Sequence, residues 1–410
     1  MDAPIVETLL DQDLYSWTVA QVAFQKGHGN VPVLYEFKNR TKEVGLEGKI
    51  DLGLLRENIQ HVRSLKPSVE EIEFLRNTGY FSDEFLRYFA YDMRLCEPDV
   101  RFEFGDLVIE IEDRWIDAIW WEVHLLSMVN EIYAMGEMTT SVGAYHEEGM
   151  RRLFRKVETL KTRPQLGFME FGTRRRFSRK HQYDVLEYLL ENIPRQVTGT
   201  SNVNLARQFS IKPTGTQSHQ APMAYAGIYD FSDGSMRNSH SYFLRDWWEV
   251  YRGPLSIALT DTFTSDFFFK IFTPEMADRF WGLRQDSGDP FVFAEKAISF
   301  YESLGINPQR KMIVFSYGLN VELMVKLWDE FSNRIGVGFG IGTNLTFDVG
   351  YSPMNSIKPL SIVIKLTRAN GKDVCKLSDN VNKMIGSEMV RSRFKRVFGC
   401  DGVSDMEVVY

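Results

Sequence analysis

The sequence predicts an α/β protein, and three features carry that expectation. Strand-like and helix-like segments alternate from about Gly172 to Gly342, a helix followed by a strand precedes them, and further strands come after Pro353. Such alternation favours parallel strands joined by crossover helices, either as a barrel or as a doubly wound sheet. A chain of 410 residues exceeds one ordinary domain, and a large barrel with an attached second domain accounts for it. Apolar residues at 44% and charged residues at 25% are ordinary globular values, which leaves out disordered, collagenous and coiled-coil classes.

The elements follow in order. From Val6 to Phe24 apolar residues recur at helical spacing, and "VPVLYEFKNR" then alternates, with Val31, Val33, Tyr35 and Phe37 on one strand face. "VRFEF" and "LVIEIED" read as a hairpin turning at Gly105-Asp106. A Trp- and Leu-rich helical pattern runs from Trp115 to Met135, and Ser178 is a suitable N-cap for "RKHQYDVLEYLLENI". "SIALTD", "VFAEKAISFYESL", "KMIVFSY", "VELMVKLWDEF" and "IGVGFG" alternate strand and helix. "LSIVIKLTRANGKDVCKLSD" then turns at Ala369-Asn370-Gly371, and these late strands are expected to rejoin the early ones.

Composition narrows the function classes. Cys96, Cys375 and Cys400 are odd in number and far apart, so neither a disulfide framework nor a thiolate metal site is expected and the compartment is read as reducing. The start "MDAPIVETLL" lacks the pattern of a signal peptide, and no apolar run reaches membrane-spanning length, which predicts a cytoplasmic protein without membrane contact. A net charge of -7 argues against a chain built to coat nucleic acid.

Against that acidic background "EFGTRRRFSRKHQ" gathers Arg174, Arg175, Arg176, Arg179 and Lys180, and such a cluster predicts an anion nearby. "GFGIGT" follows a strand, where Gly338, Gly340 and Gly342 let backbone N–H groups approach a phosphate; it lacks the GxGxxG spacing. "RQDSGDP" sets Arg284, Asp286 and Asp289 about a turn, a set suited to an anionic, hydroxylated ligand or a magnesium ion. Asp261 ends "SIALTD", where a barrel displays functional groups. "GTSNVNLA" and "PTGTQSHQ" resemble anion-attracting helix starts, and His219 in the second is a candidate base, ligand or nucleophile toward phosphate. No HxxxH or HxH pair occurs among the seven histidines, which disfavours a multi-histidine metal centre. Each motif also has a plain structural reading: a glycine-rich turn, an Asx turn, a core histidine, or, for Tyr15, an amphipathic rim tyrosine.

Taken in order, "DLYSWT", "EFGTRRRFS", "GTSN", "GTQSH", "DTF", "RQDSGDP" and "GFGIGT" resemble the bacterial type of nicotinate phosphoribosyltransferase from residue 11 to about 345, with "IVIKL" and "KLSD" extending the match. The resemblance implies a type II phosphoribosyltransferase fold: an irregular α/β barrel over 136–352, an N-terminal α/β domain over 1–135, and C-terminal strands over 353–410 that return to it. It implies a homodimer with shared active sites that joins nicotinate to phosphoribosyl pyrophosphate, with Mg2+ as cofactor, ATP as co-substrate and a place in NAD biosynthesis.

Carried over residue by residue, Phe171 and a partner-chain Tyr15 sandwich the pyridine ring. Arg174, Arg175 and Arg176 meet the polyanion or the nicotinate carboxylate, and Arg284 helps hold the carboxylate. Thr173, Thr200, Ser201, Asn202 and Thr216 line the substrate, while Gly340, Gly342 and Thr343 receive the 5′-phosphate. Asp261 and Asp286 bind ribose hydroxyls or metal, with Asp286 and Asp289 as the magnesium pair, and His219 matches the histidine that the family phosphorylates from ATP. Gln220 departs from the glutamate usual after that histidine. Three other readings are the nicotinamide-using sibling, a Schiff-base barrel built on Lys311, and an RNA-binding protein built on "RRRFSRKH".

Overall fold

A computed structural model describes residues 4–380 and 383–400. The chain divides into two compact units, one holding the chain up to Trp17 with Tyr35–Gly215 and Ile341–Lys365, the other holding Thr18–Leu34, Thr216–Gly340 and the chain from Leu366. Three of the boundaries fall inside strands: β1 (Pro32–Asn39), β9 (Gly336–Ile341) and β10 (Ile362–Ala369).

In the first unit β10, β1, β3 (Asp106–Arg114) and β2 (Asp99–Glu103) lie side by side in that order. The β2–β3 hairpin is antiparallel from Asp99↔Glu110 to Glu103↔Asp106, so its two-residue loop is Phe104-Gly105, one residue earlier than expected. Both loop residues have positive φ (51° and 84°), the geometry that matches the twist of paired strands. A parallel pair, β4 (Phe168–Glu170) and β5 (Val197–Thr200), completes the unit's strands. Trp17 sits at the centre of an aromatic core, with ring centroids 4.5 Å from Phe89 and 5.0 Å from Trp120.

The second unit holds four parallel strands in the order β9, β8 (Met312–Phe315), β7 (Gly282–Gln285), β6 (Ile257–Leu259). Helices such as Pro290–Ser303 and Val321–Phe331 lie between them in sequence, as parallel pairing requires. The hairpin of β10 with β11 (Lys372–Asp373) pairs Ala369 with Lys372, leaving the two-residue loop Asn370-Gly371, with Ala369 inside the strand. Phe263 stacks on Phe398 at 4.0 Å in this unit's core.

The α/β class is as expected; among the described residues β5 and β6 each pair with one other strand only, so hydrogen bonding between strands does not close a barrel. Closure needs strands long enough to tilt and stagger together, and β4 and β6 are three residues each. The first helix also begins later than its apolar stripe, at Leu14–Gln25. Its first residue and the chain before it are pinned: Leu14 N–H donates to Ser201 O at 2.8 Å, and Val203 N–H donates to Gln12 O at 2.9 Å. Among the described residues no helix is long and apolar enough to cross a membrane.

Candidate functional site

In the first unit β4 ends at Glu170 and the chain turns through Phe171 and Gly172 into a short 3-10 turn, Thr173–Arg175. This turn separates three arginines that look alike in sequence. Arg176 is fully buried; it makes a two-point ion pair with Asp11 (2.7 and 2.8 Å) and another with Glu131 (2.6 Å), and donates to Ile5 O at 3.0 Å. Arg175 donates to Ile362 O at 3.2 Å. Arg174 lies 3.3 Å from Asp13 and 3.7 Å from Glu122, with its guanidinium 5.5 Å from the Tyr15 ring and 5.9 Å from the Phe171 ring. Arg179 pairs with Glu7 and Lys180 with Asp184, so carboxylates of the same chain neutralise much of the cluster. Within the chain an aromatic face lies against Arg174, that of its own Tyr15.

Around that turn every side chain expected to line the substrate is tied to another. Ser201 Oγ donates to Asp13 at 2.7 Å, and Asn202 Nδ2 donates to Asp11 at 2.7 Å and to Thr173 Oγ1 at 3.3 Å. Thr200 Oγ1 and Gln182 Nε2 donate to Glu170, as does Gly172 N–H; burial still pushes that carboxyl up to about 7. Burial also raises Asp13, against the opposing charge of Arg174, whereas at Asp11 the charge and hydrogen bonds of Arg176 outweigh burial and lower it. Gly342 sits against this loop: a Cβ on it would lie 2.6 Å from Phe171 O, so the close approach requires glycine. Thr343 opens the short helix Thr343–Thr346.

The second unit carries the other cluster, at the C-terminal ends of β6 and β7 and the start of the helix Gln220–Ile228. His219 precedes that helix. Its Nδ1 is 3.1 Å from Thr262 Oγ1, and its Nε2 is 2.8 Å from Asp286 Oδ2 and 2.9 Å from Lys376 Nζ. Asp261 Oδ2 accepts from Lys376 at 2.9 Å and from Ser287 Oγ at 2.5 Å. Burial, then the positive charge of Lys376, pushes the His219 imidazole down to about 4. Burial opposes ionisation of Asp261, but Lys376 and His219 outweigh it and hold the carboxyl at about 2. Asp286 is held well below the usual range against its burial, chiefly by Lys383.

One ligand atom each of His219, Asp261 and Asp286 lies within 4.8 Å of the others, the spacing of a cation site. Asp289 stands apart: its carboxylate caps the helix Pro290–Ser303, accepting from Phe291 N–H at 2.8 Å and Val292 N–H at 3.1 Å. Arg284, in β7, donates to Gln217 O at 2.8 Å, and Thr216 O accepts from Thr18 Oγ1 at 2.7 Å. Gly340 lies in β9, buried. Lys311 donates to Asp278 O (2.7 Å) and Phe280 O (2.8 Å), which makes it a clamp at the start of β8 rather than a free amine.

Four residues central to these clusters were not singled out from sequence: Asp13, Glu122, Lys376 and Lys383. Asp13 opens "DLYSWT" and Lys376 opens "KLSD", so both stand inside motifs that carry the resemblance. Neither spacing nor composition marks a lysine that meets a histidine 157 residues away.

Comparison with known proteins places the chain in a family. The model of the "Nicotinate phosphoribosyltransferase (NAPRTase) family" matches residues 166–401, and that of its N-terminal domain matches residues 10–130. A curated relative from Acinetobacter baumannii is 36% identical over 409 residues, covering 97% of this chain and 98% of its own. One from Buchnera aphidicola subsp. Schizaphis graminum is 37% identical over 388 residues, 93% of each chain. Both are named nicotinate phosphoribosyltransferase. The solved nicotinate phosphoribosyltransferase of Vibrio cholerae superposes with a TM-score of 0.88 at 31% identity, covering 97% of this chain and 95% of its own. That of Porphyromonas gingivalis gives 0.87 at 29% identity, covering 96% and 100%. With family models over both parts of the chain and relatives matched nearly end to end, this chain belongs to the nicotinate phosphoribosyltransferase family.

Proposed function

We propose that this protein joins nicotinate to phosphoribosyl pyrophosphate, releasing pyrophosphate and nicotinate mononucleotide for NAD biosynthesis, with ATP hydrolysis coupled through His219. The observation that carries the reading is Arg174, a cation lying against the rings of both Tyr15 and Phe171. A flat aromatic acid needs that pairing: ring faces for the pyridine and a guanidinium for the carboxylate. Arg176 is left out of substrate contact, because moving it would strand Asp11 and Glu131 in the interior.

Departure of pyrophosphate leaves positive charge on the sugar and negative charge on the leaving group, and groups already fixed toward those charges lower the barrier. Lys376, Lys383 and Arg284 are such groups in the second unit, and Asp261 and Asp286 suit ribose hydroxyls. The same two carboxylates fit Mg2+, which takes oxygen ligands; Asp261 Oδ1 is buried with no hydrogen-bond partner among the described residues. When bound, the ion supplies charge to the diphosphate. A neutral imidazole, as His219 is near pH 7, has a lone pair with which to accept a phosphoryl group.

The cytoplasm is the compartment we propose, which three free cysteines suit, and a homodimer is the assembly. Size-exclusion chromatography with light scattering checks the latter; a monomeric mass would refute it. For the reaction itself, purified protein is given phosphoribosyl pyrophosphate, magnesium and either nicotinate or nicotinamide, with and without ATP. Nicotinate mononucleotide is expected, with ATP raising its yield. Preference for the amide would transfer the assignment to the nicotinamide-using sibling. With γ-labelled ATP, His219→Ala is expected to take up no label, and equal labelling of both proteins would end the phosphohistidine reading.

A further inference from the structure

His219 Nε2 has two neighbours of opposite character. Asp286 Oδ2 lies 2.8 Å from it and Lys376 Nζ lies 2.9 Å from it. An ammonium brings only protons and an ionised carboxylate only lone pairs, so one ring nitrogen with one in-plane position cannot satisfy both. In one arrangement Nε2–H donates to Asp286, and Nδ1 is bare and accepts from the Thr262 hydroxyl at 3.1 Å. In the other, Lys376 donates to a bare Nε2, and Nδ1–H donates to Thr262 Oγ1. The hydroxyl serves either way because it both donates and accepts.

Both competitors are anchored. Lys376 is 3% exposed and also donates to Asp261 Oδ2 at 2.9 Å; Asp286 Oδ1 accepts from Ser316 Oγ at 3.2 Å, and Lys383 lies 3.9 Å from Oδ2. Neither can swing away without giving up a buried contact, so the imidazole itself is the part with two states.

We propose that Lys376 is a positioning residue for His219: by competing with Asp286 for Nε2 it sets which imidazole nitrogen carries the proton and therefore which one holds the lone pair. The balance is local and adjustable. An anion that draws Lys376 toward itself weakens its hold on Nε2, releases Nε2–H to Asp286 and leaves the lone pair on Nδ1. The inference rests on the phosphohistidine reading only for its importance to turnover; the competition exists in the chain regardless of what the histidine later accepts.

The test uses the full-length protein labelled with 15N-histidine, with His219→Gln to identify the His219 signals among the seven histidines. The two nitrogens report the tautomer directly, since a protonated and a bare ring nitrogen resonate far apart. Lys376→Met is expected to shift the ratio toward Nε2–H by about threefold or more, Asp286→Asn to shift it toward Nδ1–H, and Lys376→Arg, which keeps a cationic donor, to stay near wild type. A role confined to folding would not move the two variants in opposite directions. An unchanged ratio in Lys376→Met overturns the proposal; should that variant fail to fold, an unchanged ratio in Asp286→Asn overturns it. No ATP or turnover is needed, so failure of the labelling experiment leaves this result standing, and its own failure leaves the transferase reading intact.

Discussion

Arg174 and Arg176 are two positions apart with the same charge, yet one lies against two aromatic rings and the other is sealed in the interior. The difference is what surrounds each head group. Arg176 meets two carboxylates and the carbonyl of Ile5, which together satisfy most of its five donors. Such a buried set adds little net stability when intact, since desolvation offsets attraction, but breaking it leaves charges unpaired. Arg176→Met is therefore expected to destabilise the protein by about 3–5 kcal/mol in chemical denaturation. Arg174→Met, at a side chain 29% exposed, removes the cation of Asp13 alone, since Glu122 keeps Lys365 at 3.0 Å, and should cost less stability while raising KM for nicotinate. Equal loss of stability in the two variants would contradict this division.

At the scale of elements, the site depends on how closely backbones approach. The turn after β4 and the start of the helix Thr343–Thr346 touch at Gly342, where a methyl group would meet Phe171 O at 2.6 Å and Gly172 Cα at 3.4 Å. Phe171 N–H donates to Ile341 O at 2.8 Å, so any shift there moves the aromatic residue that the ring slot needs. Gly342→Ala is expected to leave the fold in place and lower kcat/KM for nicotinate about tenfold or more, because small displacements of positioning groups are costly. Retained activity in steady-state assays would mean that the loop relaxes without moving Phe171. The β6 and β7 ends work differently: strand termini hold Asp261 and Asp286 in register, and the helix start supplies His219.

For the whole molecule, buried histidines set the acid limit. Burial pushes His124 down to about 4, His181 to about 3 and His240 to about 3, and His219 is similar. A base depressed in the folded state gives stability that is present above its unfolded pKa of 6.5 and is lost as pH falls from 6.5 toward the folded value. Glu170, raised to about 7, and Asp379, raised to about 6, work in the opposite sense, and burial raises Asp13 and Glu131 as well. The four histidines prevail, and the unfolding free energy should drop by on the order of 3 kcal/mol between pH 6.5 and 4.5. His240 isolates the effect. It is packed among Phe243, Phe263, Phe267 and Phe268, and neither ring nitrogen has a hydrogen-bond partner among the described residues. His240→Phe should flatten the acid side of the profile, and an identical slope in the variant would show that another group titrates there.

By itself the amino-acid order determined the α/β class, both hairpins to within a residue, the Ser178 cap and the family, because period, turn chemistry and short motifs are local and survive as text. Tertiary structure alone decided which of three adjacent arginines is sealed in the interior and which lies against two aromatic rings, that Asp289 caps a helix while Asp261 joins Asp286, and that Lys376 reaches His219. It also decided that short strands leave the hydrogen bonding open where a barrel was expected. These outcomes depend on contacts between residues tens to hundreds of positions apart, and on which charges lose their water together. Neither quantity is a property of any one stretch of chain.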